Sequence, residues 1–336
     1  MKNFLDKKNI LITGGTGSFG VHLTKILLKK YKLNKIVIYS RDELKQYEMR
    51  SSIPKRYIKN LRFFIGDVRD LSRLRTAMKD IDIVVHAAAL KHVTVAEYNP
   101  FEFIKTNVIG AQNIIEATMN SKVQKVIALS TDKAAAPINL YGATKLTSDK
   151  LFVSANNHIG KQNISYSIVR YGNVMKSRGS VVPLFLKQKK DGVFTVTHKD
   201  MTRFNITLSE GVDFVISCLE LMYGGEIFIP KIPSYKVIDL AKAISLKNKI
   251  KFTGIRPGEK LHEDMITESD SLNTLEFKNF YSIVPNSEFI SKAKKLKYLK
   301  YKKLIGKKCK EGFSYSSNSN KGFMTINQIK KSISDN

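Results

Sequence analysis

The segment Thr-Gly-Gly-Thr-Gly-Ser-Phe-Gly at residues 13–20 constrains the fold of this chain more than any other feature. It follows an apolar run over 8–13 and precedes a helical pattern over 21–28. Glycines three residues apart permit a tight turn and let the backbone approach a pyrophosphate at the start of a helix. This context predicts a dinucleotide site. We assign to it Gly14, Thr16, Gly17, Ser18, Phe19 and Gly20.

Strand-like and helical patterns alternate through the first half of the chain. Helical patterns, such as the one over 107–119, separate the apolar runs. This alternation predicts an α/β fold with a doubly wound parallel sheet that helices cover on both faces. The predicted strands are 8–13, 35–39, 61–65, 81–86, 125–130 and 165–170.

The pattern becomes irregular after Tyr171. We therefore predict a nucleotide-binding domain over 1–170 and a smaller C-terminal α/β substrate lobe over 171–336, which can be interleaved with the last strands. The Ser- and Asn-rich stretch 312–320 is predicted to be a surface segment, and 325–333 a short closing helix.

Composition limits the class of protein. The chain has 336 residues, of which 43% are hydrophobic, as in ordinary globular proteins. It has no run of 18 apolar residues, so we expect no membrane insertion. Its N-terminus runs directly into a strand, which leaves no room for a signal peptide. The two distant cysteines, Cys218 and Cys309, form no metal-binding pattern and predict a reducing, cytoplasmic location.

The net charge of +28 comes mostly from lysines that are scattered along the chain. Their densest stretches are 292–297 and 300–303. We interpret them as a solvated surface and expect no nucleic-acid partner, because no recognition motif accompanies the charge. Weak association with an acidic partner or a membrane surface remains an alternative.

The end of the second predicted strand indicates which dinucleotide is bound. An acidic residue there would hold the ribose diol, but the chain has Ser40-Arg41-Asp42, followed by Lys45. Arg41 can bind a 2′-phosphate, which favours NADP; alternatively, Asp42 holds the ribose and Arg41 stacks on adenine. The remaining predicted cofactor contacts are Asp67 and Val68 at the adenine and Ala87, Ala88 and Ala89 where the cofactor crosses the strand ends.

Residues 130–145 contain the candidate catalytic groups. Tyr141 and Lys145 are four residues apart and share a helix face, so the lysine is expected to lower the pKa of the tyrosine. Such a tyrosine can take a proton from a sugar hydroxyl while hydride leaves the same carbon. Asp132 and Lys133 form a second acid/base pair, which indicates a second step such as elimination of water; the alternative is a structural ion pair.

These motifs resemble the extended short-chain dehydrogenase/reductase family, whose fold is Rossmann-type. Four stretches narrow the resemblance to the inverting UDP-N-acetylglucosamine 4,6-dehydratases of the polysaccharide biosynthesis type, over roughly residues 5 to 285. They are Ser40–Gln46, Ala89–Val93, Asp132–Lys145 and Gly254–Glu263.

The resemblance implies a reaction and a role for each catalytic residue. Tyr141, helped by Lys145 and Thr131, removes the 4-hydroxyl proton while hydride passes from C4 to NADP. Lys133 removes the C5 proton if burial and Lys145 depress its pKa, and Asp132 donates a proton to the leaving C6 hydroxyl. Hydride then returns to C6, and reprotonation from the opposite face inverts C5. The product is the first intermediate toward pseudaminic acid.

The resemblance also implies a UDP-sugar substrate and a homo-oligomer, hexameric or dimeric. Lys176 and Asn205 stand where the family pattern has Gly and Trp, which bears on sugar specificity; Ala136 and Thr94 replace Asn and Pro. The expected substrate contacts are Lys91, Asn173, Ser180, Val181, Val182, Thr195, Arg203, Arg256 and Glu259. No metal site is expected, and His86 and His92 are interpreted as packing or polar-network residues.

Three alternatives remain open. A UDP-sugar 4-epimerase needs the tyrosine but no elimination pair, so the Asp132–Lys133 pair argues against it. A related capsule or O-antigen dehydratase would be expected to carry methionine in place of Tyr141; the tyrosine favours the soluble flagellin-glycosylation type. A regulatory dinucleotide sensor would not need the intact catalytic groups.

Overall fold

The computed structural model describes residues 3–175, 180–286, 292–301 and 304–334. The described α-helices are α1 (Ser18–Lys30), α2 (Glu43–Ser51), α3 (Lys55–Ile58), α4 (Leu71–Ala77), α5 (Val93–Tyr98), α6 (Pro100–Phe103), α7 (Gly110–Met119), α8 (Leu140–Ala155), α9 (Val181–Gln188), α10 (Leu208–Leu221), α11 (Val237–Ile244), α12 (Lys292–Leu299) and α13 (Ile326–Ser334).

The described strands are β1 (Asn9–Thr13), β2 (Lys35–Ser40), β3 (Leu61–Ile65), β4 (Ile83–His86), β5 (Lys125–Thr131), β6 (Ser165–Tyr171), β7 (Asn173–Val174), β8 (Val193–Val196), β9 (Thr202–Ile206), β10 (Ile227–Pro230), β11 (Ser234–Lys236), β12 (Lys249–Phe252), β13 (Asp264–Ile266), β14 (Thr274–Glu276), β15 (Phe280–Ile283), β16 (Lys300–Tyr301), β17 (Leu304–Ile305), β18 (Lys307–Lys308) and β19 (Tyr315–Ser316).

A ten-stranded sheet forms the centre of the molecule, in the order β18-β14-β15-β10-β6-β5-β4-β1-β2-β3. Strands β1 to β6 pair in parallel with their neighbours, and β10 adds a further parallel strand beside β6. The antiparallel strands β15, β14 and β18 complete one edge. The order 3-2-1-4-5-6 is that of the Rossmann fold, so the predicted doubly wound α/β class is confirmed.

Apolar strands covered on both faces explain why this sheet is stable. Ile10, Leu11 and Ile12 of β1 are fully buried, as expected where helices pack on both sides of a parallel sheet. Ile10 and Ile12 belong to the core cluster that α1 and α10 cover, whereas Leu11 belongs to the cluster under α4, α7 and α8.

The C-terminal half builds a second, smaller packing unit over the carboxyl ends of the parallel strands. Strands β11, β9 and β7 form one small sheet, and β12 pairs with β8. Helices α9, α11 and α13 pack around Phe185, Phe194, Leu240 and Ile329, which are fully buried. Because β10, β14, β15 and β18 extend the large sheet, the division at residue 170 stays a prediction.

Two segments differ from the sequence expectation. The predicted helix over 107–119 is an α-helix only from Gly110, because Ile104–Ile109 forms a π-helical turn. The predicted surface stretch 312–320 contains β19, which pairs with β13, and Ser317 is fully buried. Among the described helices, none has the length and apolarity to cross a membrane.

Candidate active site

The glycine turn between β1 and α1 forms a cradle that side chains would fill. Gly14 has φ +63°, and a Cβ atom there would lie 2.9 Å from Cα of Ala88. A Cβ atom on Gly20 would lie 2.5 Å from Cα of Gly15. Gly17, the N-cap of α1, offers no side-chain cap to the first N–H groups of the helix. The residues present therefore fit a dinucleotide pyrophosphate.

The groups beyond β2 favour a cationic contact at the adenosine ribose. The carboxylate of Asp42 accepts a hydrogen bond from the Lys45 N–H at 2.9 Å and pairs with the Lys45 ammonium at 2.7 Å. Arg41 is 53% exposed and reaches Asp67 only at 3.7 Å. Asp42 is thus already engaged as the cap of α2, whereas the Arg41 guanidinium can still turn toward a phosphate.

The strand ends that the cofactor would cross are held by a buried polar network. The Thr13 hydroxyl accepts hydrogen bonds from the N–H groups of Ala87 and Ala88 and bonds to Nδ1 of His86 at 2.8 Å. Burial lowers the pKa of His86 to about 3, so the ring is neutral. No group of three His, Cys, Asp or Glu side chains suited to a metal occurs within the described ranges.

A glycine lets the helix turn that carries Tyr141 pack against the backbone of Lys133. Strand β5 ends in a 3₁₀ turn, Asp132–Ala134, and Asn139 caps α8 by accepting from the Gly142 N–H at 2.8 Å. A Cβ atom on Gly142 would collide with the carbonyl oxygen of Lys133. Only glycine lets the first turn of α8, which carries Tyr141, pack this closely on the turn.

The acidity of Tyr141 differs from the sequence expectation. Burial raises its pKa to about 12, which outweighs the charge of Lys133 and the hydrogen bond from Thr131. The predicted lowering by Lys145 is therefore wrong for the free protein. The Lys145 ammonium instead donates to the carbonyl oxygen of Leu129 at 2.7 Å, and burial lowers its own pKa.

The Lys133 ammonium lies among three oxygen acceptors. Its Nζ is 3.1 Å from Oδ1 of Asp132, 3.0 Å from Oε1 of Glu263 and 3.4 Å from Oδ1 of Asn173. Burial lowers the pKa of Lys133, but the carboxylates of Asp132 and Glu263 outweigh burial and raise that pKa above its ordinary value. The expected depression of this pKa is thus wrong, because the sequence did not show the second carboxylate.

Asp132 is completely buried behind the cavity wall. Its Oδ1 accepts from the Thr131 hydroxyl at 2.9 Å, and its Oδ2 has no hydrogen-bond partner. An unpartnered buried carboxyl oxygen is costly unless it carries a proton or meets a ligand. Among the described residues Thr131 and Lys133, not Asp132, line the cavity.

A cavity of about 710 Å³ joins the glycine turn to the C-terminal lobe. Val182, predicted as a substrate contact, is 1% exposed and belongs to the core of the lobe instead. Thr16 lines a smaller adjoining cleft, and Asn205 lies outside both. Lys176 falls outside the described residues. Predicted residues that line the main cavity are Gly14, Gly17, Ser18, Phe19, Gly20, Ala87, Ala89, Lys91, Thr131, Lys133, Tyr141, Lys145, Asn173, Ser180, Val181, Thr195, Arg203, Arg256 and Glu259.

Opposite charges alternate from the mouth of this cavity to its catalytic end. Arg256 pairs with Glu259 at 3.2 Å, and Arg203 is 3.7 Å from both Glu259 and Glu263. Glu263 then pairs with Lys133. This row lines the cavity with two arginines, whose guanidinium groups suit phosphate oxygens, and Lys133 lies beyond them.

Sequence reasoning missed two site residues. Glu263 lies within the motif 254–263, but only Arg256 and Glu259 of that motif were assigned. Asn107, in the π-helical turn, is 1% exposed; its side-chain amide donates to the Leu90 carbonyl and accepts from the Leu90 N–H, each at 2.9 Å. Asn107 thereby fixes the backbone of the residue before Lys91. Its only signal in the sequence was a polar residue within a predicted helix.

Comparisons with known proteins agree with this geometry. Residues 10–285 match a family model described as "Polysaccharide biosynthesis protein". The chain belongs to this family. It is 57% identical to the UDP-N-acetylglucosamine 4,6-dehydratase (inverting) of Campylobacter jejuni subsp. jejuni serotype O:2, over 94% of both chains. A UDP-glucose 4-epimerase of Rickettsia bellii is 42% identical over 87% of this chain and 86% of the relative.

A solved structure extends the agreement to the whole fold. The X-ray structure of Pen from Bacillus thuringiensis is 35% identical, with a TM-score of 0.88, over 99% of this chain and 100% of that chain. The family's fold therefore includes the C-terminal lobe and not only the nucleotide-binding sheet.

Proposed function

We propose that this chain is an NADP-dependent UDP-N-acetylglucosamine 4,6-dehydratase that inverts C5. The observation that carries the proposal is the contact of the Lys133 ammonium with two buried carboxylates in the cavity that Tyr141 also lines. Oxidation at one carbon needs only the tyrosine, whereas removal of water also needs a base at C5 and an acid at the C6 hydroxyl.

The proposed reaction assigns a residue to each proton transfer. Tyr141, hydrogen-bonded to Thr131, first loses its phenolic proton to solvent through the cavity that it lines, and the phenolate then takes the proton of the 4-hydroxyl group. A bound nicotinamide would accept hydride from C4 and return it to C6. Lys133 takes the C5 proton once C4 is a ketone, and Asp132 protonates the leaving C6 hydroxyl. Reprotonation of C5 from the opposite face, by a proton that comes from solvent, gives UDP-2-acetamido-2,6-dideoxy-β-L-arabino-hexos-4-ulose.

The proposed substrate contacts lie along the row of alternating charges in the cavity. Arg256 and Arg203 would hold the UDP diphosphate, and Lys91 and Asn173 would contact the sugar. Burial lowers the pKa of Lys91, with Lys133 adding to the effect, so a hydrogen bond from a neutral substrate group suits this lysine. The exposed guanidinium of Arg41, which can turn toward a 2′-phosphate, supports the preference for NADP.

Further parts of the proposal rest on the sequence alone. We place the product on the route to pseudaminic acid, and we expect a homo-oligomer, hexamer or dimer. We also expect a cytoplasmic location, because the two distant cysteines indicate a reducing compartment.

Mass spectrometry of the product from UDP-N-acetylglucosamine tests the proposal. Loss of one water is expected, together with deuterium at C5 when the reaction runs in D₂O. The 42% identical epimerase keeps 4-epimerisation as the second candidate. An unchanged product mass with a new C4 configuration would favour that candidate and reject dehydration.

A further inference from the structure

Glu263 forms a direct contact with the base of the proposed reaction. Its Oε1 is 3.0 Å from Nζ of Lys133 and 3.7 Å from Nε of Arg203, and the residue is 1% exposed. Its Oε2 is buried and has no hydrogen-bond partner. A carboxylate in this position contacts Lys133 through Oε1, the oxygen that can receive a proton directly from Nζ, and its Oε2 is not engaged by another group of the described residues.

The lysine cannot act as a base in the state that the structure shows. An ammonium group has three N–H donors and no lone pair, and Lys133 has three acceptors around it. It must lose one proton before it can take another from C5. Asp132 is a poorer acceptor for that proton, because its Oδ1 already accepts from the Thr131 hydroxyl and because Glu263, not Asp132, lines the cavity among the described residues.

We propose that Glu263 positions Lys133 and accepts its surplus proton, so that Lys133 meets C5 as a neutral amine; this inference rests on the dehydration proposed above. One N–H bond of Lys133 breaks, its electron pair stays on Nζ, and the proton forms an O–H bond with Oε1 of Glu263. The lone pair on Nζ then takes the C5 proton. No oxidant or further reactant is required.

Burial makes this transfer feasible. Moving the proton converts two buried charges into two neutral groups, which a water-free site favours. Burial also raises the pKa of Glu263, with Asp132 adding to the effect, although Lys133 and Arg203 oppose it. A substrate that seals the cavity strengthens this preference. The charged or titratable groups that interact with Glu263 or Lys133 are Asp132, Arg203, Lys91, Tyr141 and Tyr235.

The backbone that carries Glu263 is fixed independently of its side chain. The Glu263 N–H donates to Oγ of Ser317 at 2.9 Å, and its carbonyl accepts from the Ser317 N–H at 2.8 Å. The variant Glu263→Gln keeps this backbone and the side-chain size. It removes the ability of the side chain to take the proton and, with it, the negative charge that raises the pKa of Lys133.

The experiment compares the pH dependence of kcat for the wild type, Glu263→Gln and Glu263→Asp. With Glu263 present, proton transfer is internal, so kcat should be flat through neutral pH. In Glu263→Gln the proton has to leave to solvent, so kcat should fall roughly 10²–10⁴-fold at pH 7 and recover about tenfold per pH unit as pH rises. Glu263→Asp should be slower than wild type but keep the flat profile.

Controls separate this inference from folding and from the proposed function. The exposed Glu311→Gln should match the wild type, and thermal denaturation shows whether each variant is folded. A folded Glu263→Gln variant whose kcat does not change with pH, whatever the absolute value of kcat, would overturn the role of Glu263 as proton acceptor. If the wild type itself releases no water, the proposed function fails before the role of Glu263 is tested.

Discussion

At the scale of single residues, the neighbours of Lys133 and Tyr141 decide which proton each can move. Tyr141 is buried and Lys133 is partly buried, with 21% of its side chain exposed, and withdrawal from water alone would favour the neutral form of each. Tyr141 follows this rule, since its pKa rises to about 12. Lys133 does not, because two carboxylates hold it charged. The two bases of the proposed reaction therefore begin with a proton that must be moved.

Variants of these two residues should stop the reaction at different steps. Tyr141→Phe should block the first oxidation, since no group remains to take the 4-hydroxyl proton. Lys133→Ala should permit that oxidation but prevent removal of the C5 proton. Absorbance of the reduced nicotinamide in a single turnover should therefore accumulate in Lys133→Ala and be absent in Tyr141→Phe.

Lys150, exposed on the same helix as Tyr141, provides the control: Lys150→Ala should behave as wild type. General acid and base groups supply roughly 10²–10⁴ in rate, so both catalytic variants should be severely impaired. Normal turnover by Lys133→Ala would mean that Lys133 is structural and that elimination uses another base.

Arg41 allows a separate test at the adenosine end. Arg41→Ala should weaken NADP by tenfold or more, since a charge-assisted hydrogen bond contributes about 1.5–3 kcal/mol, and should change NAD binding little. Titration with the reduced forms of both cofactors, which fluoresce, measures the two affinities. Arg50→Ala, on the exposed face of α2, serves as control. If the variant binds both cofactors equally more weakly, Arg41 does not recognise the 2′-phosphate, and Asp42 would be the residue that binds the ribose.

At the scale of elements, the connection from β5 to α8 contains a strained residue. Ala136 is exposed and has φ +44°, in the left-handed region that costs a side chain with Cβ about 1–2 kcal/mol. The family pattern expected Asn at this position, a residue that adopts this region more readily. The departure therefore has a conformational cost that the sequence alone did not show.

Replacing Ala136 by glycine should stabilise the protein. Glycine adds conformational entropy to the unfolded chain, which lowers stability by about 0.4–1 kcal/mol. The strain energy that it relieves in the folded state is larger, so the free energy of unfolding should rise by roughly 0.5–1 kcal/mol. Ala135→Gly is the control, since Ala135 has φ −83° and should only be destabilised. Urea denaturation measures both. A loss of stability in Ala136→Gly would show that the strain is compensated locally.

At the scale of the whole molecule, the C-terminal tail reaches back to the catalytic end of the cavity. The hydroxyl of Ser317 bonds to that of Thr202 at 2.7 Å and accepts from the Glu263 N–H. Thr202 precedes Arg203, which contacts Glu263. A residue near the end of the chain thus aligns two segments that hold the charge row.

Removing this hydroxyl should affect both stability and rate. Ser317→Ala leaves a buried N–H without its acceptor, which costs about 1–3 kcal/mol. We also expect a lower kcat, because Glu263 is no longer held against Lys133. Ser319→Ala, in the exposed part of the same tail, should change neither quantity. Thermal denaturation and kcat together test the link, and an unchanged kcat in a destabilised Ser317→Ala variant would refute it.

Short-range patterns in the sequence determined much of this protein. The strand runs, the glycine spacing of 13–20 and the four-residue spacing of Tyr141 and Lys145 each lie within a few turns of chain, so local conformation settles them. They were sufficient for the fold class, and they predict one acid/base group. The resemblance added the reaction, and the family comparison agrees with it.

Only the tertiary structure decided which distant groups meet. Glu263 reaches Lys133, and Ser317 fixes Glu263, because packing of the C-terminal lobe brings three separate segments to one end of the cavity. The pKa directions of Tyr141 and Lys133 could not be read from their sequence neighbours for the same reason. Burial and long-range charge set a pKa, and both arise only when segments far apart in the chain are packed together.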